Sequence, residues 1–111
     1  MPIIEQRTVS AKKGKGEIFI THLLTPAQLV GKCAMFASVR IPAGASIGVH
    51  KHTDTNETYH ILRGTATYTD NGKVYPVKAG DTTFCADGDT HGIENSGDDD
   101  LIFIALIINT K

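Results

Sequence analysis

Cysteine is scarce in this chain of 111 residues, and neither sign of charge is in excess. Cys33 and Cys85 stand far apart and fit no zinc-binding spacing, so we expect free thiols that pack as small apolar side chains. Eleven Lys and Arg residues against twelve Asp and Glu residues give a net charge of −1. A nucleic-acid surface needs a clustered basic excess, so we expect no nucleic-acid partner and treat the basic residues at 12–15 as a solvated loop.

Long apolar runs are also missing. The longest, residues 101–108, is far shorter than the roughly 20 residues that cross a bilayer as a helix. The first residues carry no long apolar segment, so we expect no signal peptide, no membrane partner and a cytoplasmic location. With 41% hydrophobic and 21% charged residues, the composition is typical of a soluble globular protein, and the length suits one domain with one core.

Short strand-like segments dominate what remains. Turn signals separate them about every 8 to 12 residues, which is the spacing typical of a β-sandwich or β-barrel. The Asn71-Gly72 pair predicts a tight hairpin, and Pro76 confines its strand to a sheet edge or an irregular position. A cap residue followed by proline predicts one helical turn within residues 25–30. The predicted strands are 17–24, 33–41, 47–51, 57–62, 65–69, 74–77, 81–85, 90–94 and 101–109.

Three histidines and one glutamate lie in segments framed by glycines: His50, His52, Glu57 and His91. Residues two apart on a strand point to the same face, so His50 and His52 lie about 6.6–7 Å apart and can converge on one ion. A polar stretch can turn the chain before Glu57, which then begins the next strand as an anionic ligand. His91 comes from far along the chain. The spacing therefore predicts a metal site made of these four side chains.

Two sequence motifs contain these four residues. The first spans 44–64 and reads Gly-x5-His-x-His-x4-Glu-x6-Gly; the second spans 80–95 and reads Gly-x7-Gly-x2-His-x3-Asn. Both resemble the paired motifs of the cupin superfamily, with Ala86 standing where proline is usual. Alanine does not fix φ as proline does, so this departure puts the rigidity of the turn before His91 in question and removes no ligand.

The resemblance implies a fold, a domain layout and a ligand set. The fold is an all-β double-stranded β-helix, the jelly-roll barrel of small single-domain cupins, with residues 1–111 as one cupin domain. The resemblance covers roughly residues 41–108, and the first part of the chain matches only as leading strands. Carried over residue by residue, it makes His50, His52, Glu57 and His91 the metal ligands.

An ordinary structural role is the alternative for each of these residues. Two histidines at positions i and i+2 are also what a solvent-facing strand can carry, and Glu57 can be a hairpin charge. The carboxylate, the distant His91 and the framing glycines together favour the metal site. His22 and His60 are expected to be ordinary strand residues, and His60 alternates out of phase with Glu57.

Three imidazoles and one carboxylate suit a single divalent transition metal ion, namely Fe, Mn, Ni, Zn or Cu. Calcium is disfavoured because it takes oxygen ligands. Four protein ligands on an octahedral ion leave two positions open for a small-molecule ligand or substrate. If Glu57 points inward, Tyr59 does too, which makes Tyr59 a candidate catalytic residue with a substrate-orienting hydroxyl. Glu57 is then both a ligand and a candidate catalytic base.

The resemblance implies several chemistries on this ligand set, and the fold does not choose among them. Few charged residues fall at predicted inward positions, which favours a small, mostly apolar substrate. We therefore predict a metal-dependent dioxygenase acting on a small enolisable or dicarbonyl-like compound. The alternatives are an oxygen-independent isomerase, lyase or decarboxylase, and a non-catalytic small-molecule-binding cupin. Arg40, which can meet a substrate carboxylate or lie on the surface, and Cys85 remain without an assigned role.

The last predicted strand is apolar on both faces. One face can fill the barrel, whereas the other needs cover from another layer of the same chain or from a second subunit. We expect a homodimer.

Overall fold

The computed structural model describes residues 3–111, and strands account for most of them. The strands form a six-stranded sheet in the order β1-β2-β3-β10-β5-β8 and a four-stranded sheet in the order β4-β9-β6-β7. Every strand pairing is antiparallel, and the two sheets confirm the predicted all-β double-stranded β-helix. In chain order the elements are β1 (Arg7–Ala11), β2 (Ile18–His22), α1 (Pro26–Leu29), β3 (Cys33–Ile41), β4 (Ser46–Lys51), β5 (Thr55–Arg63), β6 (Thr65–Asp70), β7 (Lys73–Lys78), β8 (Thr82–Cys85), β9 (Thr90–Asn95) and β10 (Leu101–Asn109).

The core lies between the two sheets because each strand turns alternate side chains inward. In β10, Leu101, Phe103 and Ala105 are fully buried, whereas the residues between them are only partly buried. Inward side chains of both sheets join one apolar cluster, whose largest members are Ile18, Val39, Ile41, Tyr59, Ile61, Tyr68, Ile93, Leu101 and Phe103.

Local sequence signals set the turns as predicted. Asn71 and Gly72 connect β6 and β7 with φ angles of 47° and 84°, the left-handed values that a tight hairpin requires. Pro76 lies in β7, an edge strand of the smaller sheet. Thr25 caps α1, since its side chain accepts a hydrogen bond from the backbone N–H of Gln28 and the Gln28 side chain accepts one from the N–H of Thr25. Within residues 3–111, no helix has the length and apolar character that a bilayer crossing requires.

The sequence analysis missed β1. Its residues are polar or small and mostly exposed, so they show no apolar alternation, and the strand exists because it pairs with β2 at the sheet edge. The strand predicted at 17–24 is shorter, spanning Ile18–His22.

The loop between β1 and β2 closes one side of the barrel. Its side chains are exposed, as predicted for a solvated loop, but its backbone pairs with β4. The carbonyl of Lys13 accepts from the N–H of Gly48 at 2.8 Å, and the carbonyl of Lys15 accepts from the N–H of Ser46 at 2.9 Å. A Cβ on Gly14 would lie 2.7 Å from the Gly48 nitrogen, so this close approach requires glycine. The loop therefore covers the free edge of β4, next to His50.

Candidate metal centre

The four predicted ligands converge between the two sheets. His50 on β4 stands directly opposite His91 on β9 in the four-stranded sheet, and Glu57 reaches them from β5 in the other sheet. His52 lies just beyond the end of β4. One ligand atom from each residue lies within 4.8 Å of all the others, so the cluster could hold a metal ion.

The distances between the donor atoms fit an ion. The Nε2 atoms of His52 and His91 each lie 3.0 Å from Oε1 of Glu57, and 3.1 Å from each other. Two ligands at right angles on an octahedral ion, with bonds of about 2.1 Å, are about 3.0 Å apart. The Nε2 atom of His50 is more distant, at 3.9 Å from the same oxygen. Three donors therefore have the spacing of neighbouring ligands, and the distance from His50 to Glu57 is close to the roughly 4.2 Å between opposite ligands on such an ion.

Each imidazole is held through its other nitrogen. The Nδ1 of His50 donates to the backbone carbonyl of Gly48 at 2.8 Å, which leaves the lone pair on Nε2. The Nδ1 of His52 contacts the Thr55 hydroxyl at 2.9 Å. In the tautomer whose Nδ1 carries the hydrogen, the lone pair is again on Nε2. Partners of this kind orient metal-binding histidines in proteins. These two contacts therefore leave the Nε2 lone pairs of His50 and His52 directed at the cluster.

Tyr68 is the partner of His91, and the sequence analysis missed it. Its hydroxyl lies 2.7 Å from Nδ1 of His91, and both side chains are buried. Tyr68 occupies β6, which is paired with β9 in the same sheet. The alternation in β6 could have placed Ala66 and Tyr68 on one face, but which residue that face meets depends on a pairing between distant strands.

The electrostatics of the cluster favour an ionised Glu57. Burial raises the pKa of this carboxyl, but the imidazoles of His50 and His91 outweigh burial, and the net effect lowers the pKa to about 2. Contact with Glu57 raises the pKa of His50, whereas burial lowers the pKa of His52. Glu57 is therefore a carboxylate throughout the physiological range, as a metal ligand must be.

A tight turn fixes His52 from the backbone. The N–H of His52 donates to the carbonyl of Asp89 at 3.0 Å, and its carbonyl accepts from the N–H of Gly88 at 2.8 Å. Ala86 accepts from the N–H of Asp89 at 3.0 Å, and Gly88 has a φ of 90°. The turn therefore forms without the proline usual at position 86. The Asp87 carboxylate adds support, since it accepts from the backbone N–H of Asp54 and from the Thr110 hydroxyl.

Asn95, the last fixed residue of the second motif, has a structural role. Its side-chain amide donates to the carbonyls of Ile41 and Asp99, each at 2.8 Å, and its oxygen accepts from the N–H of Gly97. It fastens the end of β9 to the end of β3 and to the turn before β10.

Tyr59 points inward with Glu57, as the alternation predicted. The Tyr59 ring is buried and stacks on the His91 ring, with centroids 4.9 Å apart. Burial first, and then the nearby Glu57 carboxylate, raise the pKa of Tyr59 well above its ordinary value. The hydroxyl is therefore a neutral group beside the cluster, and its substrate-orienting role stays a prediction.

The remaining candidates fall outside the cluster. Arg40 faces outward, with its guanidinium 4.2 Å from the centroid of the Phe19 ring and 3.6 Å from the Asp100 carboxylate, so a role at the site is ruled out by its position. Cys85 is buried opposite Glu57 in the paired strands, and burial raises the pKa of its thiol to about 11. His60 faces outward as predicted and contacts the Thr82 hydroxyl. His22, expected to be an ordinary strand residue, lines the cavity described next.

An open cavity of about 690 Å³ adjoins the cluster. Three of the four predicted ligands line it, and His91 lies behind them, fully buried. The open positions of an ion held by these ligands would therefore face the cavity. Most of its wall is aliphatic, and the lining residues are Val9, Ala11, Lys13, Ile18, Ile20, His22, Met35, Val39, Ile47, Gly48, Val49, His50, His52, Glu57, Tyr59, Ala105 and Ile107.

Known proteins are similar to this chain in sequence and in fold. An oxalate-binding protein of Thermotoga maritima is 43% identical over 106 residues, which cover 96% of this chain and 88% of the relative. The crystal structure of a predicted oxalate decarboxylase of Thermotoga maritima superposes with a TM-score of 0.88 at 43% identity, covering 96% of this chain and 93% of that one. A Klebsiella pneumoniae protein with a double-stranded β-helix domain gives a TM-score of 0.75 at 26% identity, with 88% and 82% covered.

The family model of the Cupin domain matches residues 37–107, which contain both motifs and all four candidate ligands. This range agrees with the resemblance noted over roughly residues 41–108, and it covers more than half of the chain. The protein is a member of the cupin family.

Proposed function

We propose that this cupin is a metal-dependent binding protein for small bidentate carboxylates of the oxalate class. The observation that carries the proposal is the convergence of four donors, three of which line the wall of an open cavity. A divalent ion bound there would supply a Lewis acid with open positions for two oxygen atoms of a ligand. His50, His52, Glu57 and His91 would hold the ion, while Gly48, Thr55 and Tyr68 keep the imidazoles in place.

Oxalate suits such a site because its two carboxylates offer adjacent oxygen donors to one ion. The Thermotoga maritima relative named as an oxalate-binding protein is 43% identical to this chain over 106 aligned residues, which supports the same ligand class here. Oxalate shares the adjacent carbonyl oxygens of the dicarbonyl-like compounds that the sequence analysis favoured, but it is neither apolar nor enolisable.

Binding without turnover agrees best with the residues of the cavity. Among its lining residues Glu57 is the sole carboxylate, and it belongs to the ligand set. A decarboxylase or isomerase that moves protons with a carboxylate free from the metal therefore has no such residue in this lining. The second candidate function is the predicted dioxygenase for an enolisable or dicarbonyl-like compound, which the aliphatic wall and the neighbouring Tyr59 favour.

Calorimetry with the metal-loaded and the metal-free protein tests the proposal. We expect one oxalate to bind per chain when the metal is present and none to bind after chelation. His52→Ala is expected to abolish binding. His60→Ala is the matched control, since His60 faces outward on the same sheet as Glu57, and it should bind as wild type does. A metal-loaded wild-type protein that binds no oxalate would refute the proposal.

Product analysis separates binding from catalysis. The metal-loaded protein is incubated with oxalate without oxygen and assayed for formate and carbon dioxide, and then with enolisable dicarbonyl compounds while dissolved oxygen is recorded. We expect neither products nor oxygen uptake. Sustained turnover that is lost in His52→Ala would replace the binding function with the corresponding enzyme.

We also propose a homodimer formed through the outer face of the six-stranded sheet, in a cytoplasmic protein. On that face, Ile102, Ile104 and Leu106 of β10 are partly buried, and Leu62 and Phe84 beside them are more than half exposed. Exposed apolar side chains on one sheet face are typical of a subunit interface, and here polar neighbours such as Ser38 and His60 lie on either side of Ile104. The free thiols of Cys33 and Cys85 support a reducing compartment.

A further inference from the structure

The cavity is much larger than oxalate requires. Its volume of about 690 Å³ falls within the range of about 300–1,000 Å³ that buries drug-sized ligands. One water molecule occupies about 30 Å³ of liquid, so a small dianion on the ion would leave room for many waters. A ligand that fills this space needs a part that extends away from the metal-binding atoms.

The wall beyond the donor atoms is aliphatic and comes from five strands. Val9, Ile20, Met35, Ile47 and Ile107 line it from β1, β2, β3, β4 and β10 respectively. The last four of these are partly exposed, and Val9 is 36% exposed, so part of each side chain faces the cavity, while Ile20, Met35 and Ile47 also pack against the core. A hydrocarbon group placed against them would remove apolar surface from water on both sides.

The net charge of an ion with its four protein ligands would neutralise a ligand that carries one negative charge, not two. A divalent ion, the Glu57 carboxylate and three neutral imidazoles sum to a charge of +1. Lys13 is the one Lys or Arg that lines the cavity, and its exposure to solvent weakens its field at the ion. A monoanion bound to the ion gives a neutral site, whereas a dianion leaves an uncompensated negative charge against an aliphatic wall.

From size, wall and charge together, we infer that this chain prefers a monoanionic bidentate oxygen chelator with an aliphatic substituent, of which the aliphatic 2-oxo acids are the test compounds. This inference rests on the proposed function, because it needs a bidentate ligand on the ion. The carboxylate and the 2-oxo oxygen occupy the open positions, and the alkyl chain lies along Ile20 and Ile47.

A chain-length series measures the contribution of the wall. The zinc-loaded protein is titrated calorimetrically with oxalate, pyruvate, 2-oxobutanoate, 2-oxopentanoate and 2-oxohexanoate. We expect the affinity to rise about fourfold for each methylene that becomes buried, which corresponds to about 0.8 kcal/mol. The longest acids should bind more tightly than oxalate. In the same samples, methyl NMR signals of Ile20 and Ile47 should shift progressively with chain length while exposed Ile3 remains unmoved.

A pair of matched variants locates the effect. Ile20→Thr keeps a β-branched residue in β2 and makes the wall polar, so it should reduce the gain per methylene, measured within the variant's own series, to less than twofold. Val74→Thr makes the same kind of change on the exposed side of β7, where Val74 is 64% exposed, and should behave as wild type. The wild-type NMR series decides the matter if Ile20→Thr fails to fold.

The outcomes separate the inference from the proposed function. An affinity that is flat or falls along the series, or tightest binding of oxalate, overturns the inference and leaves the proposed function in place. If neither oxalate nor any 2-oxo acid binds to the zinc-loaded protein, the proposed function and the inference fail together.

Discussion

The hydrogen bonds behind the histidines matter as much as the ligands themselves. Tyr68 contacts Nδ1 of His91 at 2.7 Å, and Gly48 and Thr55 hold His50 and His52 in the same way. Such partners fix the tautomer and the ring orientation, and losing one typically costs about 10- to 100-fold in metal affinity.

Tyr68→Phe is therefore expected to weaken zinc binding by about 10- to 100-fold, since it removes the oxygen that receives the His91 hydrogen and little else. Competition with a chromogenic chelator measures the change. Tyr75→Phe removes a hydroxyl from the neighbouring strand at a residue that is 43% exposed, and should leave the affinity unaltered. Equal affinities of Tyr68→Phe and wild type would show that Tyr68 only fills space.

Glu57 gives the metal-free protein a defined pH dependence. Its pKa in the folded chain is about 2, below the ordinary value of 4.5, so ionised Glu57 stabilises the fold above pH 4.5 and this contribution is lost as the pH falls toward 2. We expect the difference in unfolding free energy between wild type and Glu57→Gln to be largest above pH 4.5 and to shrink below it. Urea denaturation of the metal-free proteins at a series of pH values measures this difference. A constant difference from pH 7 to pH 2 would contradict the assignment.

At the residue scale, the sequence predicted the four candidate ligands because their spacing is itself the signal. Each lies at a fixed distance from glycines that the turns require, such as Gly88 with a φ of 90°. Tyr68 could not be predicted, because its contact with His91 depends on strands that are 23 positions apart in the chain. The outward orientation of Arg40 likewise depends on which face of β3 meets the core.

At the scale of elements, the site depends on how closely β4 and β9 approach. A Cβ on Gly92 would lie 2.9 Å from the backbone nitrogen of Val49, which is closer than Cβ atoms approach other atoms in real structures. His50 and His91 are paired on these same two strands. Glycine at position 92 therefore keeps the two ligands within reach of one ion.

Gly92→Ala is expected to lower metal affinity by at least tenfold, because the new Cβ pushes β4 away from β9 and a displacement of a fraction of an ångström disturbs the ligand geometry. The same competition assay measures the loss. Gly31→Ala is the control: it strains a backbone with a φ of 72° and lowers stability, and it lies in the loop between α1 and β3, which carries none of the four ligands. Should both variants lose metal affinity equally, general destabilisation would explain the result.

The elements were predictable where their own residues carry the signal. Three predicted features depend only on nearby residues, and the structure confirms them. They are the hairpin at Asn71-Gly72, the edge position of Pro76 and the capped helical turn that ends at Leu29. β1 and the pairing of Lys13 with β4 escaped prediction because backbone hydrogen bonds to distant partners create them. The turn at Ala86 forms through Gly88 and Asp87 rather than through proline.

At the scale of the whole molecule, the outer face of β10 carries apolar side chains that residues 3–111 leave only partly covered. The sequence predicted that β10 is apolar on both faces. Its inner side chains fill the core, whereas Ile102, Ile104 and Leu106 alternate outward beside exposed Phe84. β1 and β2 extend the same sheet sideways, so they do not cover this face.

Ile104→Lys is therefore expected to convert the proposed dimer into a monomer, because it places an unpaired charge at the centre of the apolar face. Analytical ultracentrifugation of wild type and variant measures the mass. Val9→Lys, on the inner face at the sheet edge, is the control and should remain dimeric. A wild-type protein that is monomeric at all concentrations would rule out this interface.

Metal content measures the central claim most directly. The protein is loaded with one divalent transition metal at a time, freed of unbound ion and assayed by inductively coupled plasma mass spectrometry alongside His52→Ala, His91→Ala and His60→Ala. We expect one ion per chain in wild type and in His60→Ala, and a large loss in the other two variants. The donor atoms of His52, Glu57 and His91, 3.0–3.1 Å apart, have the spacing of ligands on one ion. Wild-type protein that retains none of the metals would contradict the account.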